Sequence, residues 1–153
     1  MTTLSATACL TISTGCGGAA RPVHLPPADR EWIDNTAGVI DQLQRDLQLE
    51  STAGDTIAAA RETLRTGLYT VLVAYTDFGG CRHMVAAVGV EPNGLARAVE
   101  HLQRACVRLQ DADRLFTRAV ERDAPRLLSR ATQEALAAVP SLDAAALELA
   151  RRT

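Results

Sequence analysis

The sequence contains no lysine and few aromatic residues. Aromatic side chains make up only 3% of the 153 residues, whereas hydrophobic residues make up 47%. A core with so few rings must be built from alanine, leucine and valine, which favour packed helices over a twisted sheet. The absence of lysine indicates the codon bias of a GC-rich genome. Because a chain of this length fits one domain with a sizeable core, we expect a single all-α domain.

Strong net charge and long apolar runs are also missing. The formal net charge of −2 gives no electrostatic reason to expect a nucleic-acid partner. After residue 20, no stretch reaches the roughly 18 consecutive apolar residues that a membrane-spanning helix needs. Only the N-terminus is therefore a candidate for a membrane signal.

Residues 1–20 carry no charged side chain and include a short apolar run that ends in small residues. This composition is typical of the apolar region of a signal peptide and its processing site. The segment from Ser13 to Cys16, "STGC", resembles the lipobox of bacterial lipoproteins, in which small residues precede a cysteine that becomes the lipid-modified first residue. Thr14 and Gly15 fit that pattern, whereas a large aliphatic residue is usual in place of Ser13. The resemblance implies a signal peptide over residues 1–15 and a lipid on Cys16.

The residues after Cys16 favour this interpretation. The segment 16–28 has glycines first and then Pro22, Pro26 and Pro27, a composition that suits a flexible tether between a lipid and a folded domain. The alternative is a disordered cytosolic N-terminus with an ordinary thiol at position 16.

From residue 29 onward the apolar residues recur in steps of three and four, which predicts helices throughout a single bundle domain over 29–153. The first helix carries its stripe to Leu47. Thr52 and Asp55 form a capping-box pattern that predicts the start of a second helix, which ends at Gly79 and Gly80. Gly38, Gly54 and Gly67 lie in or near helical segments, and we attribute them to close helix packing.

The second half of the sequence predicts one short helix, one long helix and shorter pieces. The short helix covers 81–88 and is followed by a turn at 92–94. The longest stripe begins at Leu95 and ends or kinks near Pro125. The pattern then extends to Pro140, and Ser141 is a candidate cap for a last helix. Together these segments predict an up-and-down bundle of four or five helices with short loops.

Removal of residues 1–15 and acylation of Cys16 would leave Cys81 and Cys106 as the remaining cysteines. In an antiparallel hairpin that turns at residues 93 and 94, both cysteines lie twelve residues from the turn, so each arm extends about 18 Å. The two sulfurs therefore lie at the same height, and we predict a Cys81–Cys106 disulfide. In a cytosolic protein the same positions would hold two buried free thiols.

The sequence contains few of the residue patterns that are typical of metal sites and active sites. A zinc site drawn from Cys81, His83, His101 and Cys106 conflicts with helical phase, because neither histidine faces the same way as its neighbouring cysteine. The same phase difference weakens a Cys–His nucleophile pair, and no phosphate-binding loop or nucleophile elbow is present. We expect no catalytic residues, no metal and no cofactor.

Arginines recur every four residues along the end of the long helix. They predict a basic arc that could contact anionic lipid headgroups or an acidic partner: Arg114, Arg118, Arg122, Arg126 and Arg130. Acidic residues are interleaved with them, which is also typical of a mixed, solvated face.

These features predict a non-catalytic helical-bundle protein at the cell envelope, lipid-anchored or exported, that acts through an unknown protein partner. The lipobox-like segment, the tether and the paired cysteines resemble those of small envelope lipoproteins of high-GC Gram-positive bacteria. The alternative is a cytosolic helical adaptor or regulatory bundle with reduced thiols. A carrier with a ligand site inside the bundle is a third hypothesis, and it requires an internal cavity.

Overall fold

The computed structural model describes residues 25–59 and 78–153. Within them the chain forms four longer helices and one short helix: α1 (Pro27–Ala59), α2 (Cys81–Ala87), α3 (Ala96–Glu121), α4 (Pro125–Leu136) and α5 (Val139–Ala150). The described residues contain no β-strand, so the predicted all-α helical bundle is confirmed. The predicted signal peptide, Cys16 and most of the predicted second helix lie outside the described residues.

The helices pack side by side with alternating directions. The long helix α3 packs against both α4 and α5, which follow one another along its length. Arg108 on α3 forms an ion pair with Glu134 on α4 at 3.0 Å, and Arg152 after α5 donates to the Gly94 carbonyl before α3, also at 3.0 Å. The pair α4–α5 is therefore antiparallel to α3.

The first helix runs antiparallel to α4 and α5, against which it packs. Its middle is fixed to α5 by a hydrogen bond from Gln44 Nε2 to Asp143 Oδ1 at 3.1 Å. Near its start, Trp32 Nε1 lies 3.5 Å from the Gly89 carbonyl oxygen in the loop after α2. The short helix α2 lies between α1 and α3 and contacts both.

The bundle thus has two distinct ends. The start of α1, the loop between α2 and α3 and the end of α5 lie together, and we call this the entry end. The turn at 122–124 between α3 and α4 forms the far end. There Phe78, just before α2, stacks on Phe116 of α3 with ring centroids 6.4 Å apart.

The core is made of small and aliphatic side chains from every described helix, as the composition predicts. Leu43 of α1, Leu109 of α3 and Leu142 of α5 are each completely buried. Alanines on α3, α4 and α5 fill the space where these helices approach each other: Ala98, Ala105, Ala112, Ala131, Ala135, Ala138 and Ala145. Trp32 also belongs to this core, because only 7% of it is exposed.

Two predicted helix caps are wrong. The helix that starts at Pro27 continues to Ala59, so no helix begins at Thr52. The Thr52 hydroxyl instead donates to the Gln48 carbonyl at 2.9 Å, and residues 39–53 contain no proline or glycine that would end α1. At the other end of the chain, α5 begins at Val139 without a side-chain cap, so Ser141 lies inside the helix and Pro140 occupies its first turn, where proline is tolerated.

The N-terminal boundary of the bundle also differs from the prediction. Pro27 and Ala28 belong to α1, and Leu25 packs against the core. These residues were predicted to belong to the tether, yet they are part of the folded unit. Proline is favoured in the first turn of a helix because its missing N–H would have no partner there.

Close packing does not explain Gly38. Its position on α1 is exposed, and a Cβ atom there would meet nothing within 4 Å. Gly94 is different, because its φ of +86° is strained for other residues and a Cβ atom would collide with the Arg152 guanidinium.

The two glycines therefore predict opposite effects of the same substitution. Gly94→Ala is expected to lower the free energy of unfolding by about 1–2 kcal/mol, because the Cβ atom of alanine makes a left-handed backbone sterically unfavourable. Gly38→Ala is expected to raise it by about 0.5–1 kcal/mol, because alanine favours a helix interior. Urea unfolding of both variants measures the two changes. Equal effects of the same sign would contradict the assignment of Gly94 to a left-handed turn.

Candidate functional site

The disulfide between Cys81 and Cys106 joins the first residue of α2 to the middle of α3. Their Cα atoms are 5.4 Å apart, and both residues are completely buried. Val85, Val88 and Val99 pack against the core from the same hairpin. The predicted pairing and its hairpin register are confirmed.

A shallow groove of about 510 Å³ lies between α2 and α3, beside this disulfide. Val85, Ala86 and Val107 form its apolar part, and Arg82 and Arg104 flank it. Glu100 also lines the groove and lies 3.7 Å from Arg104. The ion pair is exposed on both sides, so it contributes little to stability.

A second cleft of about 530 Å³ opens at the entry end, between the start of α1 and the loop before α3. Its lining includes the carboxylates of Asp29, Glu31 and Glu91 and the carboxamides of Asn35 and Asn93. None of the described residues that line it is basic. The cleft is therefore acidic.

The histidines do not contribute to a metal site among the described residues. His83 is exposed on α2, and His101 Nδ1 lies 3.1 Å from the Arg104 guanidinium. In the described part of the chain, no three histidine, cysteine or carboxylate side chains converge on a point where a metal ion could bind. Because both cysteines are joined in the disulfide, neither is available there as a nucleophile or a thiolate ligand.

The five arginines of the predicted basic arc are all exposed, but they do not lie on one helix. Arg114 and Arg118 belong to α3 and Arg122 ends it, whereas Arg126 and Arg130 lie on the antiparallel α4. The chain reverses at Asp123, which has a φ of +43°. The predicted arc along a single helix is therefore wrong, and the arginines instead surround the far end of the bundle.

The charge of this far end is mixed. Arg114 pairs with Asp111 at 3.4 Å, and Glu121 is exposed one residue before Arg122. The other four arginines have no acidic partner within 4 Å among the described residues. Among the described residues at this end, these four arginines are therefore available to an anionic partner.

A small cavity of about 30 Å³ lies beside Trp32 and is lined by Thr36, Val85 and Leu102, among others. A space of this size holds about one water molecule. Ligand sites for small molecules are typically ten times larger or more. This cavity therefore gives no support to the hypothesis of an internal carrier site.

Sequence reasoning missed the most unusual side chain of the bundle, Glu50. Only 1% of this residue is exposed, and within the described structure neither carboxylate oxygen has a hydrogen-bond partner of ordinary distance and angle. Burial raises the pKa of the Glu50 carboxyl from 4.5 to about 7, while the Thr132 side chain on α4 offsets part of the rise. Because the Thr132 contact lacks good hydrogen-bond geometry, burial dominates.

The sequence did contain a signal for this residue. Leu43 and Leu47 lie on the buried stripe of α1, and Glu50 is the next position three residues further along the same stripe. Asp46, one turn before Glu50, is buried as well and accepts a hydrogen bond from Gln42 Nε2 at 2.8 Å. An acidic residue at a core position of an amphipathic helix is the pattern that would have identified it.

None of the helices in the described ranges is both long enough and apolar enough to cross a membrane. Comparison of the chain with protein-family models, with curated proteins and with solved structures found no match. The features of the chain that bear on its function are therefore the disulfide, the two ends of the bundle and the buried carboxyl group.

Proposed function

We propose that this protein is an exported, non-catalytic helical bundle that is anchored to the cell membrane by a lipid on Cys16 and acts through a protein partner at the envelope. The observation that carries the proposal is the buried disulfide between Cys81 and Cys106. Disulfides form and persist in oxidising compartments outside the cytoplasm and are rare within it. The pairing therefore favours an exported domain over a cytosolic adaptor with reduced thiols.

The number of cysteines supports the same proposal. The chain has four cysteines, and processing before Cys16 would remove Cys9. Acylation would consume the thiol of Cys16, and the other two cysteines are the ones that pair. No thiol would remain free, which suits a protein in an oxidising environment.

The geometry of the bundle indicates which end would lie near the membrane. Leu25 packs against the core just before α1, and the nine residue-to-residue steps from Cys16 to Leu25 reach about 30 Å when fully extended. The arginines lie towards the far end, where the turn at 122–124 is separated from the entry end by the 26-residue helix α3, which is about 39 Å long. This arrangement favours an acidic protein partner over lipid headgroups as the ligand of these arginines.

Intact mass measurement tests the proposal. For protein isolated from the membranes of its native host without reductant, we expect a chain that begins at Cys16 and carries a diacylglycerol. We also expect the mass to be two hydrogens lower than that of the reduced chain, because Cys81 and Cys106 are joined. An unmodified chain with four titratable thiols would overturn the proposal.

Two variants distinguish the contribution of the lipid to membrane attachment from that of the arginines. We expect Cys16→Ala to move the protein from the membrane fraction to the soluble extracellular fraction. The variant in which Arg114, Arg118, Arg122, Arg126 and Arg130 are all replaced by glutamine is expected to stay with the membrane, since its lipid is intact. Release of the glutamine variant would instead assign membrane attachment to the arginines.

A further inference from the structure

We propose that the contact between α1 and α4 is a pH-sensitive latch, closed while Glu50 is protonated and weakened when Glu50 is ionised. The proposal goes beyond the role at the envelope and rests on the placement of one carboxyl group. Glu50 is buried in the C-terminal half of α1 and approaches the Thr132 side chain on α4.

The surroundings of Glu50 offer no compensating cation among the described residues. On α1, Asp46 is buried one turn earlier and is itself acidic. On α4, Arg130 is exposed, and Glu134 pairs with Arg108 of α3 at 3.0 Å. On α5, Asp143 is exposed and accepts the hydrogen bond from Gln44. With no cation beside it in the described ranges 25–59 and 78–153, an ionised Glu50 would be a buried charge without compensation from them, which is strongly unfavourable.

A movement of α1 would expose this charge to water. This helix packs against α2, α4 and α5, whereas α3 packs more extensively against both α4 and α5. The disulfide also holds α2 to α3 independently of α1. Displacement of the C-terminal half of α1 would therefore hydrate Glu50 while the rest of the bundle stays folded.

The pH range of the latch follows from the difference between the closed and open states. Burial raises the pKa of Glu50 to about 7, against an ordinary value of 4.5. Below pH 4.5 the group is protonated in both states, so pH has no effect through it. Between 4.5 and 7 the closed state keeps a proton that the open state releases, so closure weakens as pH rises. Above pH 7 the loss is complete and amounts to about 300-fold in the closing equilibrium.

Hydrogen exchange of the full chain tests the latch. After correction for the intrinsic exchange rate, we expect protection of the amides at 43–50 to fall by about two orders of magnitude between pH 5 and pH 8. Protection of the amides at 102–109 on α3 is expected to stay high. A constant protection at 43–50, or an equal fall in both segments, would overturn the proposal.

Glu50→Gln and a matched variant give the control. Glutamine is neutral at every pH and nearly isosteric with a protonated glutamate, so Glu50→Gln is expected to remove the pH dependence at 43–50. Glu31→Gln, at an exposed position on the same helix, is expected to keep it. Persistence of the full pH dependence in Glu50→Gln would assign it to another group and refute the latch.

A direct titration covers the case in which Glu50→Gln does not fold. In the wild-type protein, the ¹³C resonance of the Glu50 side-chain carboxyl, assigned through its own backbone, is expected to titrate with a midpoint near 7. A midpoint below 5 would show that the carboxyl is solvated and would overturn the proposal.

Discussion

Replacement of both Cys81 and Cys106 with alanine is expected to lower the free energy of unfolding by about 3.5 kcal/mol. The disulfide spans 25 residues, and closing a loop of that length restricts the unfolded chain by this amount in the chain-entropy estimate. Alanine is the suitable replacement because both sites are completely buried, where a serine hydroxyl would lack a partner.

Urea unfolding of the wild type and the double alanine variant measures this effect. Addition of reductant to the wild type should lower its midpoint towards that of the variant, whereas the variant itself should not respond. The loss is expected to be largest at α2, because a helix of seven residues is too short to be stable without tertiary contacts. Equal midpoints for the oxidised wild type and the variant would contradict a stabilising role for the disulfide.

Leu109→Ala is expected to lower the free energy of unfolding by about 2–5 kcal/mol. Leu109 is completely buried near the middle of α3, the helix that packs against α2, α4 and α5. Truncation removes apolar surface from the core and leaves a cavity that helices on several sides cannot fill together. The effect should therefore be close to the upper range for a single substitution.

Leu147→Ala on α5 is the matched control. This leucine is 53% exposed, and leucine and alanine have similar helix propensity, so we expect a change of at most about 0.5 kcal/mol. Thermal and urea unfolding of the two variants compare a core position with a surface position by the same chemical change. A similar cost at both positions would mean that Leu109 is not in a tightly packed core.

The features that the sequence predicts well are those set by periodicity and by breakers. The α2–α3 hairpin is one example, because Gly89 and Gly94 both adopt positive φ and fix where the chain turns. Once the turn is known, helical rise alone brings Cys81 level with Cys106. Leu102 and Leu109 follow from the same stripe, since an amphipathic helix buries one face.

The features that the sequence predicts poorly depend on choices between competing local interactions. Thr52 is a residue type that often caps a helix, but its hydroxyl donates to the Gln48 carbonyl in the preceding turn. The helix α1 therefore continues through this position. A glycine inside a helix often marks close packing with a neighbouring helix, but Gly38 is exposed to solvent. The sequence predicts that the long helix ends or kinks near Pro125, but it does not give the direction of the chain after that point. The chain reverses at Asp123, which takes a positive φ, and this divides the arginines between two helices.

Glu50 shows a different limit. Its place on the buried stripe of α1 follows from periodicity, but its lack of a partner depends on which side chains α4 presents to it. Such a relation between distant segments is not encoded in a local pattern. The candidate functional features therefore divide into a disulfide that spacing predicts and a carboxyl group that only the packed structure reveals.

The separation of the two ends would let the bundle act as a spacer if the proposed lipid holds its entry end. If the chain is held at its entry end, α3 carries the turn at 122–124 about 39 Å further out. The helices α4 and α5 return along the full length of α3 and brace it against bending. If the proposed lipid holds the entry end at a membrane, the flexible tether and α3 would together limit how far from that membrane a partner can bind Arg122 or Arg126. Lengthening or shortening the tether would change this limit without altering the binding surface.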